Sequence, residues 1–188
     1  IYYNGTDGRF NYGDASSQTV SYAAIYYLSD RFNKPEYAWY ENKLQKDIDD
    51  YLQGYEAIAA ICFYDPNKAV KDPGDFALDK FYYSEQDVNG IVMRSDWEDK
   101  EALYAAMQGG NNSENHMHLS LGTYVIDFKG TRFVEDIYAS NYSLSGAKNT
   151  IYYKRAEAYN TLVINPSNEG EQYMDGIATV TRYGTSDN

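Results

Sequence analysis

Both histidines of this chain, His116 and His118, are separated by a single residue, and two acidic residues, Glu135 and Asp136, follow them. Alternate residues of an extended strand point to the same face, so we expect the two imidazoles to project together. A hairpin turn at residues 129–130 would bring the acidic pair back alongside them. Imidazole and carboxylate groups are ordinary zinc ligands, so the pattern is compatible with a metal site. The alternative is a pair of partly exposed histidines at a polar strand end, because this spacing is common.

The elements that must position these side chains are predicted to be short strands. Residues 119–128 are rich in β-branched and aromatic side chains, and residues 131–136 follow the turn signal Lys129-Gly130. Similar runs occupy residues 80–83, 89–94, 103–108, 150–155, 160–165 and 176–183. Short strands at such close spacing predict an antiparallel sheet or sandwich.

The first third of the chain has helical patterns instead. Asp14 or Ser16 can cap a first helix, and Pro35 opens a second region whose helical character extends to about residue 61. The apolar residues there recur at helical spacing, which indicates faces that pack against other helices. The predicted fold class is therefore α+β, with helices first, strands afterwards, and loop-rich residues 64–79 between them.

The overall charge excludes two classes of partner. The chain carries 16 basic and 28 acidic residues, which gives a net charge of −12. A surface of this sign repels nucleic acids and anionic membranes, so neither is an expected partner. No apolar run approaches the roughly 18 residues that a membrane-spanning helix needs.

Tyrosine is unusually abundant, with 22 among 188 residues. Its ring stacks on sugars and its hydroxyl group forms hydrogen bonds, which suits a carbohydrate-binding surface, although packing in sheets and between helices accounts for most of these residues. Cys62 stands in an apolar stretch and is predicted to be a buried free thiol. Trp97 is expected in the core of the strand-rich part.

Motifs along nearly the whole chain point to a known family. The strongest combines His116-Met117-His118, Gly122-Thr123-Tyr124 and Glu135-Asp136. The others are Phe10–Asp14, Met93–Trp97, Tyr104–Gly110, Tyr152–Arg155 and Tyr159–Ile164. In order and approximate spacing, this set resembles the heparinase II/III family of polysaccharide lyases.

The resemblance implies that residues 1–63 are the last helices of an (α/α) toroid, residues 64–79 a linker, and residues 80–188 the start of an antiparallel β-sandwich domain. This agrees with the order of helices and strands above. The chain would then be a fragment of a longer protein, with the remainder of the parent chain as its partner. Because such enzymes meet their polymers outside the cytoplasm, an extracellular, cell-surface or periplasmic location is also implied.

The resemblance implies β-elimination on a uronic-acid polysaccharide. A base removes the proton from C5 of the uronate, and an acid protonates the departing glycosidic oxygen. His116 would face the cleft, and Tyr152 or Tyr153 would reach the same cleft, with the register between the two tyrosines left open. Arg94 and Arg155 could each hold the uronate carboxylate through a bidentate fork, with a structural salt bridge as the alternative.

A structural zinc site is also implied. Its first two ligands correspond to His118 and Asp136, but the third, a histidine in the family, is Tyr159 here. A neutral phenol is a poor zinc ligand, and Ser120 stands where an acidic residue is common. Zinc is therefore either absent, or bound at a damaged site, or bound at a site completed by His116.

Two other functions remain open beside the lyase. One is a non-catalytic carbohydrate-binding or structural member of the same family, with Tyr159 as the trace of lost activity. The other is a surface adhesin or scaffold unrelated to sugars. For a lyase, the acidic charge argues against a highly sulfated substrate, so alginate or non-sulfated glycosaminoglycans are the expected polymers.

Overall fold

The computed structural model describes residues 10–15, 22–47, 55–76, 80–85, 88–136, 154–166 and 171–182. The chain divides into two compact units, which we call the helical unit (Gln18–Leu78) and the sheet unit (Ile1–Ser17 with Asp79–Asn188). Within the described residues, the α-helices lie in the helical unit and the strands in the sheet unit.

The described part of the helical unit contains the helices α1 (Ala24–Phe32), α2 (Pro35–Asp47) and α3 (Tyr55–Phe63), followed by a 3-10 turn at Pro73–Phe76. The turn between α1 and α2 depends on Asn33, which has a left-handed backbone (φ 52°). Its amide donates to the Asp30 carbonyl at 3.2 Å and so ends α1. Asparagine adopts this conformation more readily than most residues. Pro35 then begins α2 as predicted, at a position where a missing N–H is tolerated.

Small side chains form much of the core of the helical unit. Ala23, Tyr26, Ala38 and Ala60 are buried together. Ala23 precedes α1 and offers no capping side chain. Glu56 of α3 instead accepts a hydrogen bond from the Ala23 amide at 2.8 Å. A carboxylate from another helix thus satisfies the start of α1, where negative charge is favourable.

The described residues of the sheet unit form β1 (Lys80–Glu85), β2 (Val88–Arg94), β3 (Tyr104–Gln108), β4 (Gly110–Asn111), β5 (Tyr124–Phe128), β6 (Thr131–Val134) and β7 (Ile177–Ala178). One antiparallel sheet has the strand order β1-β2-β3-β5-β6, and β4 pairs with β7. The β5–β6 connection turns at Lys129 and Gly130, whose φ angles are 50° and 69°. Two such residues are typical of a two-residue hairpin loop, so the predicted hairpin is confirmed.

One face of the sheet is covered by a segment from far upstream in the chain. Phe10 is 1% exposed and clusters with Val92, Tyr104, Ala106 and Val125. Buried and more exposed residues alternate along β3 and β5, as a sheet packed on one face requires. This core ties the segment before the helical unit to the strands that follow it.

A buried ion pair links β5 and β6. Arg132 Nε donates to Asp127 Oδ1 at 2.7 Å, and Asp127 is 1% exposed. Arg132 also donates to Asn11 Oδ1 at 3.2 Å, so the pair contacts the same upstream segment. A buried charge is costly without its partner, which makes this pair sensitive to substitution.

The α+β class, the order of helices and strands, and the antiparallel sheet are confirmed. Several strand predictions are wrong in extent. Residues 119–123 and 160–165 lie in turns and irregular segments, and only Ile177–Ala178 of the last predicted strand forms one within the described residues. Residues 150–153 lie outside the described residues. A β-branched composition favours an extended backbone, but tertiary packing decides whether that backbone finds a partner strand.

The prediction that Cys62 is buried is wrong, because it is exposed on α3. Ala60 faces the core, whereas the neighbouring Ile61 is 84% exposed. Apart from Glu56 in its first turn, α3 is apolar on all sides, so its sequence does not indicate which face packs. No helix in the described ranges combines the length and apolar character needed to cross a lipid bilayer. Trp97, expected in the core, is half-buried.

We expect Arg132→Met to destabilise the sheet unit by about 3 kcal/mol, because it leaves the Asp127 carboxylate buried without its cationic partner. The measurement is chemical denaturation followed by Trp97 fluorescence in a Trp39→Phe background. The two tryptophans lie in different units, so this background reports on the sheet unit alone.

The matched control is Arg182→Met, which makes the same chemical change at an exposed position of the sheet unit. Its transition midpoint should stay close to that of the parent. Equal midpoints for Arg132→Met and Arg182→Met would contradict the role assigned to the buried pair.

Candidate functional site

The two histidines lie on an irregular loop rather than on a strand. His116 has a left-handed backbone with φ 67°, and such a residue breaks the alternation of a strand. Just after His118, the Leu119 amide anchors the loop by donating a hydrogen bond to the Lys154 carbonyl at 3.0 Å. The expectation that both imidazoles project together is therefore wrong. The His116 side chain is 66% exposed, whereas His118 is only 5% exposed.

His116 pairs with Asp14. The distance between His116 Nδ1 and Asp14 Oδ2 is 2.7 Å, and the Asp14 side chain is 17% exposed. The Asp14 amide also donates to the His116 carbonyl at 3.2 Å. A carboxylate on Nδ1 orients the ring and leaves Nε2 as the nitrogen that can exchange a proton with a bound molecule.

Gly13 makes this approach of the two segments possible. Its φ is 63°, and a Cβ atom at this position would lie 2.5 Å from the His116 carbonyl oxygen. Real Cβ atoms do not come so close to an oxygen. The pairing of Asp14 with His116 therefore requires glycine at position 13, both for conformation and for space.

His118 is the buried partner of Tyr159. Its Nδ1 is hydrogen-bonded to the Tyr159 hydroxyl group, and the ring centroids are 5.8 Å apart in an edge-on arrangement. The Gly13 carbonyl oxygen lies 3.5 Å from the same hydroxyl. Tyr159 follows a 3-10 turn at Ala156–Ala158, which ends by directing its side chain into this cluster.

Asp136 joins the cluster through Asn160, the residue that follows Tyr159 in the chain. Its Oδ1 accepts hydrogen bonds from Thr123 Oγ1 at 2.5 Å and from Asn160 Nδ2 at 3.3 Å. Its Oδ2 is buried and has no hydrogen-bond partner among the described residues. Tyr159 and Asn160 thus connect His118 to Asp136. The hairpin therefore brings Asp136 toward the buried His118 but not toward the exposed His116.

Burial shifts the protonation of these groups. It lowers the pKa of His118 to about 4, with a further lowering from Lys154 and an opposite effect from Asp14. It raises the pKa of the Asp136 carboxyl group, although the hydrogen bonds that this group accepts act in the opposite direction. It also raises the pKa of the Tyr159 hydroxyl group, with Asp136 and Asp14 acting in the same direction. At neutral pH the imidazole is neutral and the phenol is protonated.

The residues that could hold a metal are a poor match to zinc. His118 and Asp136 supply an imidazole and a carboxylate, which are normal ligands. The third position holds the protonated phenol of Tyr159, and that phenol already occupies Nδ1 of His118. Zinc is bound by neutral imidazole nitrogens, thiolates and carboxylates. The protonated phenol of Tyr159 therefore does not complete a site.

A cleft of about 430 Å³ opens beside this cluster. Its lining includes Met117, His118, Lys154, Arg155, Gln172 and Tyr173. Lys154 is exposed and Arg155 is half-buried, so two cationic side chains face one cavity. Tyr173 is 82% exposed and offers an aromatic surface at the same place. Neither His116 nor Asp14 lines this cleft, although Met117 and His118, the next two residues of the same loop, do.

The predicted site residues are only partly brought together. His118 and Arg155 line the cleft, and Asp136 lies in the cluster behind it. Arg94 is instead buried, with its guanidinium 3.7 Å from the centre of the Trp97 ring, and it does not line this cleft. Tyr152 and Tyr153 lie outside the described residues.

Three residues of the site were not predicted as such: Asp14, Lys154 and Tyr173. Asp14 was expected as a helix cap, although it belongs to a motif that carries the family resemblance. Lys154 directly precedes Arg155 and could have been found from that adjacency. Tyr173 has no signal beyond the general abundance of tyrosine.

Compared with models of known protein families, the chain has no match, and none is found among curated proteins.

We expect Gly13→Ala to destabilise the sheet unit by more than Gly130→Ala. Both glycines have positive φ, 63° and 69°, so both substitutions carry a conformational cost of about 1 kcal/mol. Only at Gly13 does the added methyl group also collide with the His116 carbonyl; at Gly130 nothing lies within 4 Å. Denaturation midpoints followed by Trp97 fluorescence measure the difference, and equal midpoints would contradict the close approach at Gly13.

Proposed function

We propose that this chain is part of a polysaccharide lyase that cleaves a uronic-acid polysaccharide by β-elimination. The observation that carries the proposal is the exposed His116 imidazole, held by Asp14 at 2.7 Å. Histidine is the side chain most often used to transfer protons near neutral pH, and a carboxylate on one ring nitrogen fixes the orientation of the other. The cleft beside His118, on the same loop, carries Lys154 and Arg155, which supports an acidic substrate.

In the proposed reaction, a base removes the proton from C5 of the uronate. The electron pair forms the C4–C5 double bond, and the C4–O bond to the departing sugar breaks as an acid protonates its oxygen. His116 Nε2 takes one of these two proton-transfer roles. Lys154 and Arg155 neutralise the uronate carboxylate, which stabilises the negative charge that develops when C5 loses its proton. Tyr152 or Tyr153 supplies the other proton-transfer group, as the family resemblance implies.

The charge distribution supports a substrate of low charge density. The whole chain carries −12, whereas the cleft lining presents two cationic side chains. Two cationic side chains suit a polymer with a single carboxylate per sugar, such as alginate or a non-sulfated glycosaminoglycan, better than a heavily sulfated polymer. A location outside the cytoplasm, whether extracellular, cell-surface or periplasmic, follows from the size of such substrates and from the family resemblance.

The finer architecture belongs to the same proposal. The helical unit is proposed as the end of an (α/α) toroid and the sheet unit as the start of a β-sandwich domain, with the remaining helices and strands in the rest of a parent chain. The antiparallel sheet and the order of the two kinds of element support this assignment.

We expect His116→Ala to lower the lyase rate by roughly 100-fold or more, because it removes a proton-transfer group. The unsaturated uronate product absorbs in the ultraviolet, so absorbance is followed on alginate, hyaluronan, chondroitin and heparan sulfate with the intact parent protein. Asp14→Asn should lower kcat with a smaller change in KM, since the imidazole is kept but loses its orienting carboxylate.

The control is Glu114→Gln, an exposed substitution on the same loop, which should leave both constants unchanged. An activity that survives His116→Ala at the parent rate would refute the role of this histidine. No product from any polymer in the panel would refute the lyase proposal.

A second candidate is a carbohydrate-binding protein without catalytic activity. The observation that favours it is the cleft itself, where the exposed Tyr173 ring stands beside Lys154 and Arg155. An aromatic platform next to cationic groups can hold an acidic sugar without acting on it. Polymer binding in the absence of product would select this function over the lyase.

We expect Lys154→Met to weaken polymer binding, or to raise KM where there is turnover, by about tenfold. Its matched control is Lys129→Met on the β5–β6 turn, which removes the same charge from a residue that does not line the cleft. Affinity electrophoresis in polymer-containing gels compares the two. Equal losses for both variants would mean that only net charge matters and that the cleft is not the binding site.

A further inference from the structure

We infer that Tyr159 makes the His118–Asp136 cluster a metal-free core, in which its hydroxyl group takes the place that a third metal ligand would need. The inference concerns the interior of the sheet unit and does not depend on the proposed reaction. It is carried by the contacts of three buried side chains, which are 5%, 2% and 7% exposed for His118, Asp136 and Tyr159.

On the histidine side, the hydroxyl group of Tyr159 already occupies Nδ1 of the imidazole. It is hydrogen-bonded to His118 Nδ1 and lies 3.5 Å from the Gly13 carbonyl oxygen. Its hydrogen atom therefore has an acceptor within the protein. A metal ion that used the phenol oxygen would have to displace this hydrogen and disrupt the buried hydrogen bond to His118.

On the carboxylate side, one oxygen of Asp136 is saturated by protein donors. Oδ1 accepts from Thr123 Oγ1 at 2.5 Å, from the Asn160 amide at 3.4 Å and from Asn160 Nδ2 at 3.3 Å. These bonds position the carboxylate without a cation. Oδ2 has no hydrogen-bond partner among the described residues, and it is the atom that a metal would use if a suitable third ligand were present.

Residue 159 is thus the position that decides the chemistry of the cluster. Zinc takes four donors, and three protein ligands can hold it when water fills the fourth position. His118 and Asp136 provide two. A histidine at position 159 would provide the third and would free His118 Nδ1 from the phenol, whereas tyrosine gives a hydrogen-bonded His118–Tyr159 pair that needs no ion.

The test is the zinc content of the full chain and of Tyr159→His, each equilibrated with a small excess of zinc chloride and then desalted. We expect substoichiometric zinc in the parent and about one zinc per chain in the variant. We also expect a melting temperature that is insensitive to chelator in the parent and falls on chelation in the variant. Tightly bound zinc in the parent that is lost in Asp136→Asn would overturn the inference. So would a folded Tyr159→His chain that binds no zinc.

Tyr159→Phe keeps the inference testable even where the histidine variant does not fold. It removes only the hydroxyl group, so the parent hydrogen bond is lost and His118 keeps its packing. We expect a fall in melting temperature of about 2 to 4 °C, with no response to zinc or chelator. Tyr124→Phe, which makes the same change at a more exposed position, is the control and should melt with the parent. An unchanged melting temperature in Tyr159→Phe would overturn the role of the hydroxyl group.

Discussion

The site depends on one packing constraint, which is the burial of an upstream segment against a sheet that begins much later in the chain. Phe10 is buried in the core of the sheet unit, which anchors the residues that follow it at this face of the sheet. Gly13 and Asp14 consequently reach the loop of His116, and Gly13 also lies beside the Tyr159 hydroxyl. Closing so long a loop costs entropy, which grows only slowly with length and is offset by the apolar area that the segment buries.

The left-handed backbone at His116 separates two histidines that the sequence places almost side by side. On one side of the turn, His116 is exposed and paired with a carboxylate, which suits exchange of protons with a ligand. On the other, His118 is buried and bonded to Tyr159, which suits a structural role. The low polarizability of a protein interior strengthens hydrogen bonds but penalises charge. The buried histidine is therefore held neutral, and under the proposed function proton transfer falls to the exposed one.

Local patterns were sufficient for the α+β class and for the hairpin at Lys129-Gly130, because alternation and turn chemistry are properties of neighbouring residues. They were not sufficient for the Asp14–His116 pair, whose members are 102 positions apart and meet only through the core. The first half of the strand predicted at residues 119–128 fails for a related reason, whereas Tyr124–Phe128 forms β5. Its composition favours extension, but the His118 region is fixed by contacts with a distant segment around Lys154. Tyr159 was identifiable as unusual only through a family resemblance, since no local pattern marks it.

The net charge of the whole chain and the charges in the cleft act on a polymer at different distances. With a net charge of −12, the chain as a whole repels a polyanion at distance. At physiological ionic strength that repulsion is screened beyond about 8 Å, so a polymer that diffuses to the surface meets mainly the local field. In the cleft this field comes from Lys154 and Arg155, next to the Tyr173 ring. Two cations can offset one or two carboxylates but not a run of sulfates, so under the proposed function the cleft itself would select polymers of low charge density.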